Sequence, residues 1–268
     1  MKETVRAAEK GKAILPYLRS YWLVGLMAGV IALILYYFCR TKDSDVLLWI
    51  LAPTAWWARS LGGIYFEYLP HQGYVNYFHR FLIAPSCSGI RFMLLTFLML
   101  VFSFLPPAAG KDERRGKAAK HLWFVCSLVF AYGSTVFVNG IRIVVSVYLP
   151  DVLEQRHLLD GWLTPDRLHT LIGTVLYFTC LCLIYLSASR IHRKIFRFCR
   201  TDRVVPEKRT STVQKYAPAF WYLLIVLGLP FVKRAYHKEW EGFGQYAALV
   251  VGGCMVVSII FAALEKVK

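Results

Sequence analysis

The sequence predicts an all-α integral membrane protein with about six transmembrane helices and an interfacial or re-entrant segment on the outer face. The chain has 268 residues, of which 57% are hydrophobic and only 18% are charged. This composition excludes a disordered chain, because disordered chains are poor in apolar residues. Several apolar runs approach the roughly 20 residues that a helix needs to cross a bilayer, which argues against a soluble domain.

Six apolar runs are predicted to span the membrane. They cover residues 21–39, 88–105, 122–149, 164–186, 216–232 and 245–264. The first run lacks a small-residue cleavage site close behind it, so we expect a retained helix rather than a signal peptide. Pro106 and Pro107 end the second run, since proline cannot continue a helix. Thr164 and Pro165 are typical of an N-cap and a first helical position, and they begin the fourth run.

The basic residues predict the orientation. Lysine and arginine total 32 against 16 acidic residues, a formal net charge of +16. They cluster before the first span, after the second, after the fourth and at the end of the chain. Positive loops face the cytoplasm, so six spans place both termini inside. Because the basic residues lie in short loops beside spans, we expect no nucleic-acid partner.

The stretch of residues 46–61 is apolar but contains Pro53, Trp56, Trp57 and Arg59. If it crossed the membrane, the basic loops after it would face outside. We therefore expect an interfacial or re-entrant segment at the outer headgroups, where tryptophan is common. Residues 64–83, rich in tyrosine and phenylalanine, are predicted to form a hairpin or extended segment over the outer face.

These assignments divide the chain into four parts. We expect a basic cytoplasmic segment over residues 1–18 and a membrane core over residues 19–190. A basic cytoplasmic loop over residues 191–215 and two additional transmembrane helices over residues 216–268 complete the prediction.

Three polar motifs fall at the outer ends of spans. Residues 85–89 open the second span, Asn139 and Arg142 lie near the outer end of the third, and His169 and Gly173 lie near the outer start of the fourth. The predicted topology therefore brings all three to the same depth on the same side. A thiol, a guanidinium and an imidazole at one level are hard to explain by packing and indicate acyl transfer through a thioester.

Cys87 is the candidate nucleophile. A helix that begins here presents free amides and the positive end of its dipole, which favour the reactive thiolate. The amides of Ser88 and Gly89 are candidates to receive an oxyanion, and Gly89 would let a substrate backbone approach. The alternative is a small residue packed at a helix start. The seven cysteines form no CxxC pair and no zinc spacing, so we expect neither a metal nor a cofactor.

Arg142 and His169 are the candidate partners of the thiol. A guanidinium in an apolar span is a functional candidate, with snorkelling to the headgroups as the alternative. Arg142 would hold an oxyanion or a carboxylate, and Asn139 shares its helix face. His169 would move a proton, with a hydrogen-bonded histidine between helices as the alternative. Asp166 is a weaker candidate to orient it.

Taken together, Cys87-Ser88-Gly89, Asn139 with Arg142, and His169 with Gly173 resemble the exosortase/archaeosortase family of multi-pass membrane cysteine transpeptidases. The resemblance covers roughly residues 64–186, and residues 85–89 are most similar to the subtype lettered K. It implies a nucleophile at Cys87, a general base and acid at His169, and an oxyanion or intermediate stabiliser at Arg142.

The resemblance also implies a substrate and a location. Members cleave exported proteins that carry a carboxy-terminal motif, hydrophobic helix and basic end, and pass the new carboxyl end to a membrane-lipid or cell-surface acceptor. The expected location is a bacterial inner (plasma) membrane, with the active site on the outer, periplasmic side. Two other functions stay open from the residues alone: a multi-pass transporter, which does not need Cys87, and a membrane acyltransferase that uses His169.

Overall fold

The computed structural model describes residues 22–38, 40–41, 43–104, 113–155, 163–198, 216–237, 240 and 242–266. This part of the chain is mostly helical, with one small sheet. The helices are α1 (Trp22–Phe38), α2 (Leu48–Gly62), α3 (Ile90–Phe104), α4 (Glu113–Gln155), α5 (Pro165–Phe198), α6 (Ala217–Val226), α7 (Gly228–His237) and α8 (Phe243–Lys266). Two short 3-10 turns lie at Asp45–Leu47 and Pro85–Cys87.

Four helical segments are long and apolar enough to cross a membrane. They are Pro85–Phe104, Ala118–Gln155, Arg167–His192 and Phe243–Leu264. Two shorter apolar helices lie at Trp22–Phe38 and Ala217–Val232. The mostly helical fold is compatible with the predicted membrane protein, and within the described residues four of the six predicted spans are long and apolar enough to cross a membrane.

Two helices are longer than the apolar runs that predict them. The run at residues 122–149 lies within α4, which has 43 residues, and the run at residues 164–186 lies within α5, which has 34. Residues 191–198, expected to open a loop, therefore belong to α5. Lysine, arginine and alanine continue these helices past their apolar parts, because they are strong helix formers. Residues 1–18 and 199–215 lie outside the described residues.

The start of α5 agrees with the sequence. Pro165 is its first residue, and the Arg167 amide donates to the Thr164 side-chain oxygen at 3.4 Å. This is the N-cap contact that the Thr-Pro pair predicts, since a capping side chain satisfies an amide of the first turn. The cap fixes where α5 begins and therefore where His169 lies along it.

The predicted span over residues 216–232 is interrupted. Helices α6 and α7 meet at Leu227, three residues before Pro230. Proline has no amide hydrogen, so Pro230 cannot bond the carbonyl of Val226. That carbonyl instead accepts the hydroxyl of Tyr246 from α8 at 3.3 Å. The contact ties the break to the last helix.

The predicted outer segment folds as a helix and a sheet. Helix α2 has 15 residues and is about 22 Å long, less than the roughly 30 Å of a hydrocarbon core. It packs against α4, where the Trp57 ring lies 5.4 Å from the ring of Phe137 between centroids. After it, three antiparallel strands pair in chain order: β1 (Glu67–Leu69), β2 (Gly73–Asn76) and β3 (Phe81–Ile83). The extended segment expected here is therefore a small sheet, which the all-α class omits.

Helix α3 is the most buried of the candidate spans. About 72% of its apolar window is buried, against 39% or less for the other three. It packs against α4, α5 and α6, with Phe92, Phe97 and Met99 in the core. Strand β3 leads through Ala84 and the turn Pro85–Cys87 into this central helix. Cys87 therefore lies where the outer sheet meets the helical core.

Candidate active site

The backbone around Cys87 is a short turn between strand and helix. Ala84 is extended, and the Cys87 amide donates to its carbonyl at 2.8 Å. The Ser88 amide donates to the Pro85 carbonyl at 3.2 Å. Ser88 was expected to offer this amide to an oxyanion, but here it closes the turn. Within the described residues the Gly89 amide has no such acceptor. Of the two amides that were expected to bind an oxyanion, the Gly89 amide is therefore the one that remains available.

Gly89 serves a different purpose from the one expected. Its φ of +75° is a conformation that side chains rarely adopt. A Cβ there would lie 3.0 Å from the Thr135 side chain and 3.1 Å from Asn139 Cγ. The space beside Gly89 is therefore filled by α4 rather than open to a substrate backbone. Glycine lets the Cys87 turn approach the polar face of α4.

Asn139 connects that face to the turn. It is fully buried, and its Nδ2 donates to the Cys87 carbonyl at 2.6 Å. Its Oδ1 accepts the hydroxyl of Tyr177 from α5 at 2.7 Å. The next residue, Gly140, allows α2 to pack closely, because a Cβ there would collide with the Trp57 ring. The Asn139 side chain thus links the nucleophile's backbone to α5.

Arg142 lies one turn further along α4 and is only 9% exposed. Its Nη1 donates to the Tyr177 hydroxyl at 3.3 Å, and its Nη2 contacts His169 Nε2 at 2.6 Å. A Cβ at Gly173 would lie 3.2 Å from Arg142 Nε, so Gly173 leaves room for the guanidinium. Nε is buried and has no hydrogen-bond partner among the described residues. The snorkelling alternative does not describe this side chain.

The contact to Arg142 determines which ring nitrogen of His169 carries the proton. A guanidinium only donates, so Nε2 must accept and the ring proton must lie on Nδ1. In this arrangement His169 is neutral, and neither nitrogen is free to take a proton. Proton transfer therefore requires the Arg142–His169 contact to open. The side chain of Asp166, the weaker candidate partner, lies outside the described residues.

The structure brings Cys87 and Arg142 close enough to interact electrostatically, and the same holds for Cys87 and Tyr177. It does not place Cys87 in hydrogen bond with His169. In the described part of the chain, the hydrogen-bond contact of the Cys87 thiol is to the Ser86 hydroxyl at 4.0 Å. The three predicted motifs therefore meet through Asn139, Tyr177 and Arg142 rather than by a direct thiol–imidazole contact.

Tyr177 is the site residue that the sequence analysis missed. It follows His169 and Gly173 at intervals of four residues, so the three share one face of α5. Its ring stacks on Phe92 of α3 with centroids 4.8 Å apart, and the Arg142 guanidinium lies 5.3 Å from the ring centroid. The spacing was visible in the sequence, but an aromatic residue in an apolar span is ordinarily packing.

A second cluster lies on the outer segment. Asp43, Asp45 and His71 place ligand atoms within 4.8 Å of one another. Asp45 accepts the Tyr68 hydroxyl at 2.5 Å and the His71 amide at 2.9 Å. The Tyr68 hydrogen bond lowers the pKa of Asp45, and the same bond raises the pKa of Tyr68 to about 12. These contacts join the turn before α2 to the β1–β2 hairpin.

Comparison with protein-family models, with curated proteins and with solved structures finds no match to this chain.

Proposed function

We propose that the chain is a membrane cysteine transpeptidase of the exosortase/archaeosortase type. It cleaves carboxy-terminal sorting signals of exported proteins through a thioester and transfers the new carboxyl end to an acceptor. The observation that supports this most is the continuous hydrogen-bond chain from the Cys87 carbonyl through Asn139, Tyr177 and Arg142 to His169. It joins all three motifs that the resemblance names, from three different helices.

The cost of this network supports a functional role. Arg142 has no carboxylate partner among the described residues, and a buried guanidinium without one is expensive in an apolar protein interior. The unpaired Nε adds to that cost. Apolar side chains would be sufficient to pack these helices against one another. When the Cys87 sulfur attacks a substrate carbonyl, the oxygen of the resulting intermediate is negatively charged. The fixed positive charge of Arg142 would stabilise that oxygen.

The reaction begins with attack by the Cys87 sulfur on the carbonyl carbon of the scissile peptide bond. Arg142 turns from His169 toward the developing oxyanion, which frees Nε2 to take the thiol proton. The carbon–nitrogen bond then breaks, and His169 returns that proton to the leaving amine. The acceptor nucleophile attacks the thioester, its proton passes through His169 to sulfur, and Cys87 leaves as a thiol.

The loop charges support the placement of this chemistry. The basic segments next to the spans favour a cytoplasmic side for both termini, with six spans in a bacterial inner membrane. The turn at Cys87 then lies on the outer side, with the small sheet above it. Exported proteins with a carboxy-terminal helix would reach it from that side.

Replacement of Cys87 tests the proposal and separates it from the transporter and the acyltransferase. Full-length Cys87→Ala protein should reach the membrane in normal amount but fail to shorten a co-expressed fusion that ends in a motif, hydrophobic helix and basic tail. Cys126→Ala is the matched control, because Cys126 is exposed on α4, away from the described network. Fusion shortening that persists in Cys87→Ala would overturn the transpeptidase, and loss only in Arg142 and His169 variants would favour the acyltransferase.

A further inference from the structure

Tyr177 occupies the centre of the polar network. Its hydroxyl lies between Arg142 Nη1 at 3.3 Å and Asn139 Oδ1 at 2.7 Å. Its ring is held against Phe92, which lies one turn into the helix that Cys87 opens. Tyr177 therefore contacts Phe92 of α3 and two predicted site residues of α4, Asn139 and Arg142.

The chemistry of the donors gives this network one direction. Arg142 can only donate, so the phenol oxygen accepts from it. The phenol proton is then directed to Asn139, whose oxygen must face Tyr177. This leaves the amide nitrogen of Asn139 to face the Cys87 carbonyl, which it does at 2.6 Å. One hydroxyl thus decides both where the guanidinium points and which way the amide is turned.

We propose that Tyr177 is a positioning residue for Cys87 and Arg142. Through its hydroxyl it holds the guanidinium near the reacting carbonyl, and through Asn139 it fixes the turn that carries the thiol. This inference rests on the proposed function for its effect on turnover, but not for its effect on the Cys87 thiol itself. Tyr177 contacts no substrate atom in this scheme.

Removing the hydroxyl has a definite consequence. In Tyr177→Phe, Arg142 Nη1 and Asn139 Oδ1 lose their partner in a buried site, and the amide is free to turn over. The ring and its stacking on Phe92 are kept. Misplacement of reacting groups by about 1 Å costs on the order of 10²-fold in rate. We expect kcat for cleavage of the substrate fusion to fall by about 10- to 100-fold, with the KM for that fusion changed by less than about threefold.

The experiment compares Tyr177→Phe with Tyr222→Phe in the full chain reconstituted into vesicles. Tyr222 is also buried, and within the described residues its hydroxyl makes one hydrogen-bond contact, to the Thr174 carbonyl at 3.5 Å. We expect Tyr222→Phe to keep kcat within about twofold, because that long contact is weak. Equal losses in both variants, or a normal kcat in Tyr177→Phe, would show that Tyr177 is ordinary packing.

A double replacement tests the route through Asn139. If Tyr177 acts on the turn through that amide, adding Tyr177→Phe to Asn139→Ala should cost much less than Tyr177→Phe costs alone. Fully additive losses would instead mean that the two residues act independently, and would contradict the positioning chain.

A second readout needs no substrate, so it separates failure of this inference from failure of the proposed function. In chains whose other six cysteines are replaced by alanine, the rate of Cys87 alkylation by N-ethylmaleimide is measured. Alkylation depends on how the Cys87 turn presents the thiol, and Tyr177 is tied to that turn through Asn139. We expect Tyr177→Phe to change the alkylation rate by about threefold or more and Tyr222→Phe to leave it unchanged. Equal alkylation rates would overturn the inference whether or not the chain cleaves any fusion.

Discussion

At the residue scale, the site depends on small residues as much as on reactive ones. Gly89 lets the Cys87 turn reach Asn139, and Gly173 leaves the space that the Arg142 guanidinium fills. Each glycine lies beside a polar side chain of α4 that an added Cβ would crowd. Close backbone packing at these glycines therefore positions the reactive groups, and the hydrogen bonds add to that positioning.

Arg142→Lys should lose most activity. A lysine ammonium is a point charge and cannot reproduce the planar fork that contacts Tyr177 and His169 together. We expect kcat/KM for fusion cleavage to fall by about 10²-fold. Arg91→Lys is the control, because Arg91 is exposed on α3. Activity within a factor of about two of wild type in Arg142→Lys would mean that the fork geometry is not used.

Gly173→Ala should also reduce activity without removing any functional group. The new Cβ would lie 3.2 Å from Arg142 Nε, so the guanidinium must shift. We expect about a tenfold loss in kcat, with a normal amount of protein in the membrane. Gly133→Ala is the matched control, because a Cβ there meets nothing within 4 Å. Equal activity in the two variants would contradict a role for the space beside Arg142.

At the element scale, Asp43 and Asp45 tie the small sheet to the chain before α2, and Asp45 makes the shorter contacts. Asp45 accepts from Tyr68 on β1 and from the backbone of His71 in the β1–β2 turn. His71 has a positive φ of 62°, which its hydrogen-bonded turn maintains. The sheet leads directly into the Cys87 turn, so its attachment bears on the position of the nucleophile.

Tyr68→Phe should loosen this sheet. The variant loses the hydrogen bond to Asp45 but keeps the aromatic ring that packs on Tyr74. We expect faster protease cleavage within residues 63–84, and Tyr74→Phe, altered at the paired position of β2, should match wild type. The lifetimes of the full-length band under limited proteolysis measure the difference. Identical lifetimes in all three chains would mean that the hydrogen bond from Tyr68 to Asp45 does not anchor the sheet.

The same anchor gives a pH dependence with a definite sign. The pKa of Asp45 is lowered from 3.8, so its stabilisation is present above that pH and is lost as the pH falls below it. The pKa of Tyr68 is raised from 10.0 to about 12, so its stabilisation is present below pH 10 and is lost as the pH approaches 12. The wild-type sheet should therefore lose its protection against proteolysis at both extremes of pH. The protection of the sheet in Tyr68→Phe should change less with pH.

Sequence patterns predicted the elements better than their contacts. Apolar runs located the membrane helices, and the Thr164–Pro165 pair marked the start of α5. The ends of α4 and α5 were missed, because residues that favour helices without being apolar leave no hydropathy signal. The polar motifs were found because guanidinium and imidazole groups are rare in apolar spans and because Cys87 lies just before one. Tyr177 was not, because only the fold shows that its hydroxyl faces Arg142.

At the scale of the whole molecule, the charge pattern predicts on which side of the membrane the site lies. The Cys87 turn and the small sheet lie at the start of α3, and the loop charges predict that this end faces outside. Four helices are long and apolar enough to span. With the shorter helices α1 and α6 also counted as spans, the basic segments before α1, after α3, after α5 and at the end of the chain are predicted to be cytoplasmic, whereas Lys233, Arg234 and Lys238 are predicted to lie outside.

The orientation is tested with single cysteines in a chain that lacks its own. Asp151→Cys, on an exposed position of α4, should react with an impermeant maleimide on intact cells. Thr210→Cys, in the basic segment outside the described residues, should react only after the membrane is permeabilised. The basic loops predict this result, because positive segments stay in the cytoplasm. Labelling at Thr210 but not at Asp151 would invert the topology and place Cys87 inside.

The most direct test of the transpeptidase is capture of its thioester. The reconstituted full chain is incubated with a substrate fusion in the presence of neutral hydroxylamine, which attacks thioesters but not peptide bonds under these conditions. We expect the released protein to end in a hydroxamate, and the peptide containing Cys87 to carry the substrate fragment when the reaction is quenched in acid without hydroxylamine. Cleavage that yields only a free carboxylate, with no mass added to Cys87, would contradict nucleophilic catalysis by this residue.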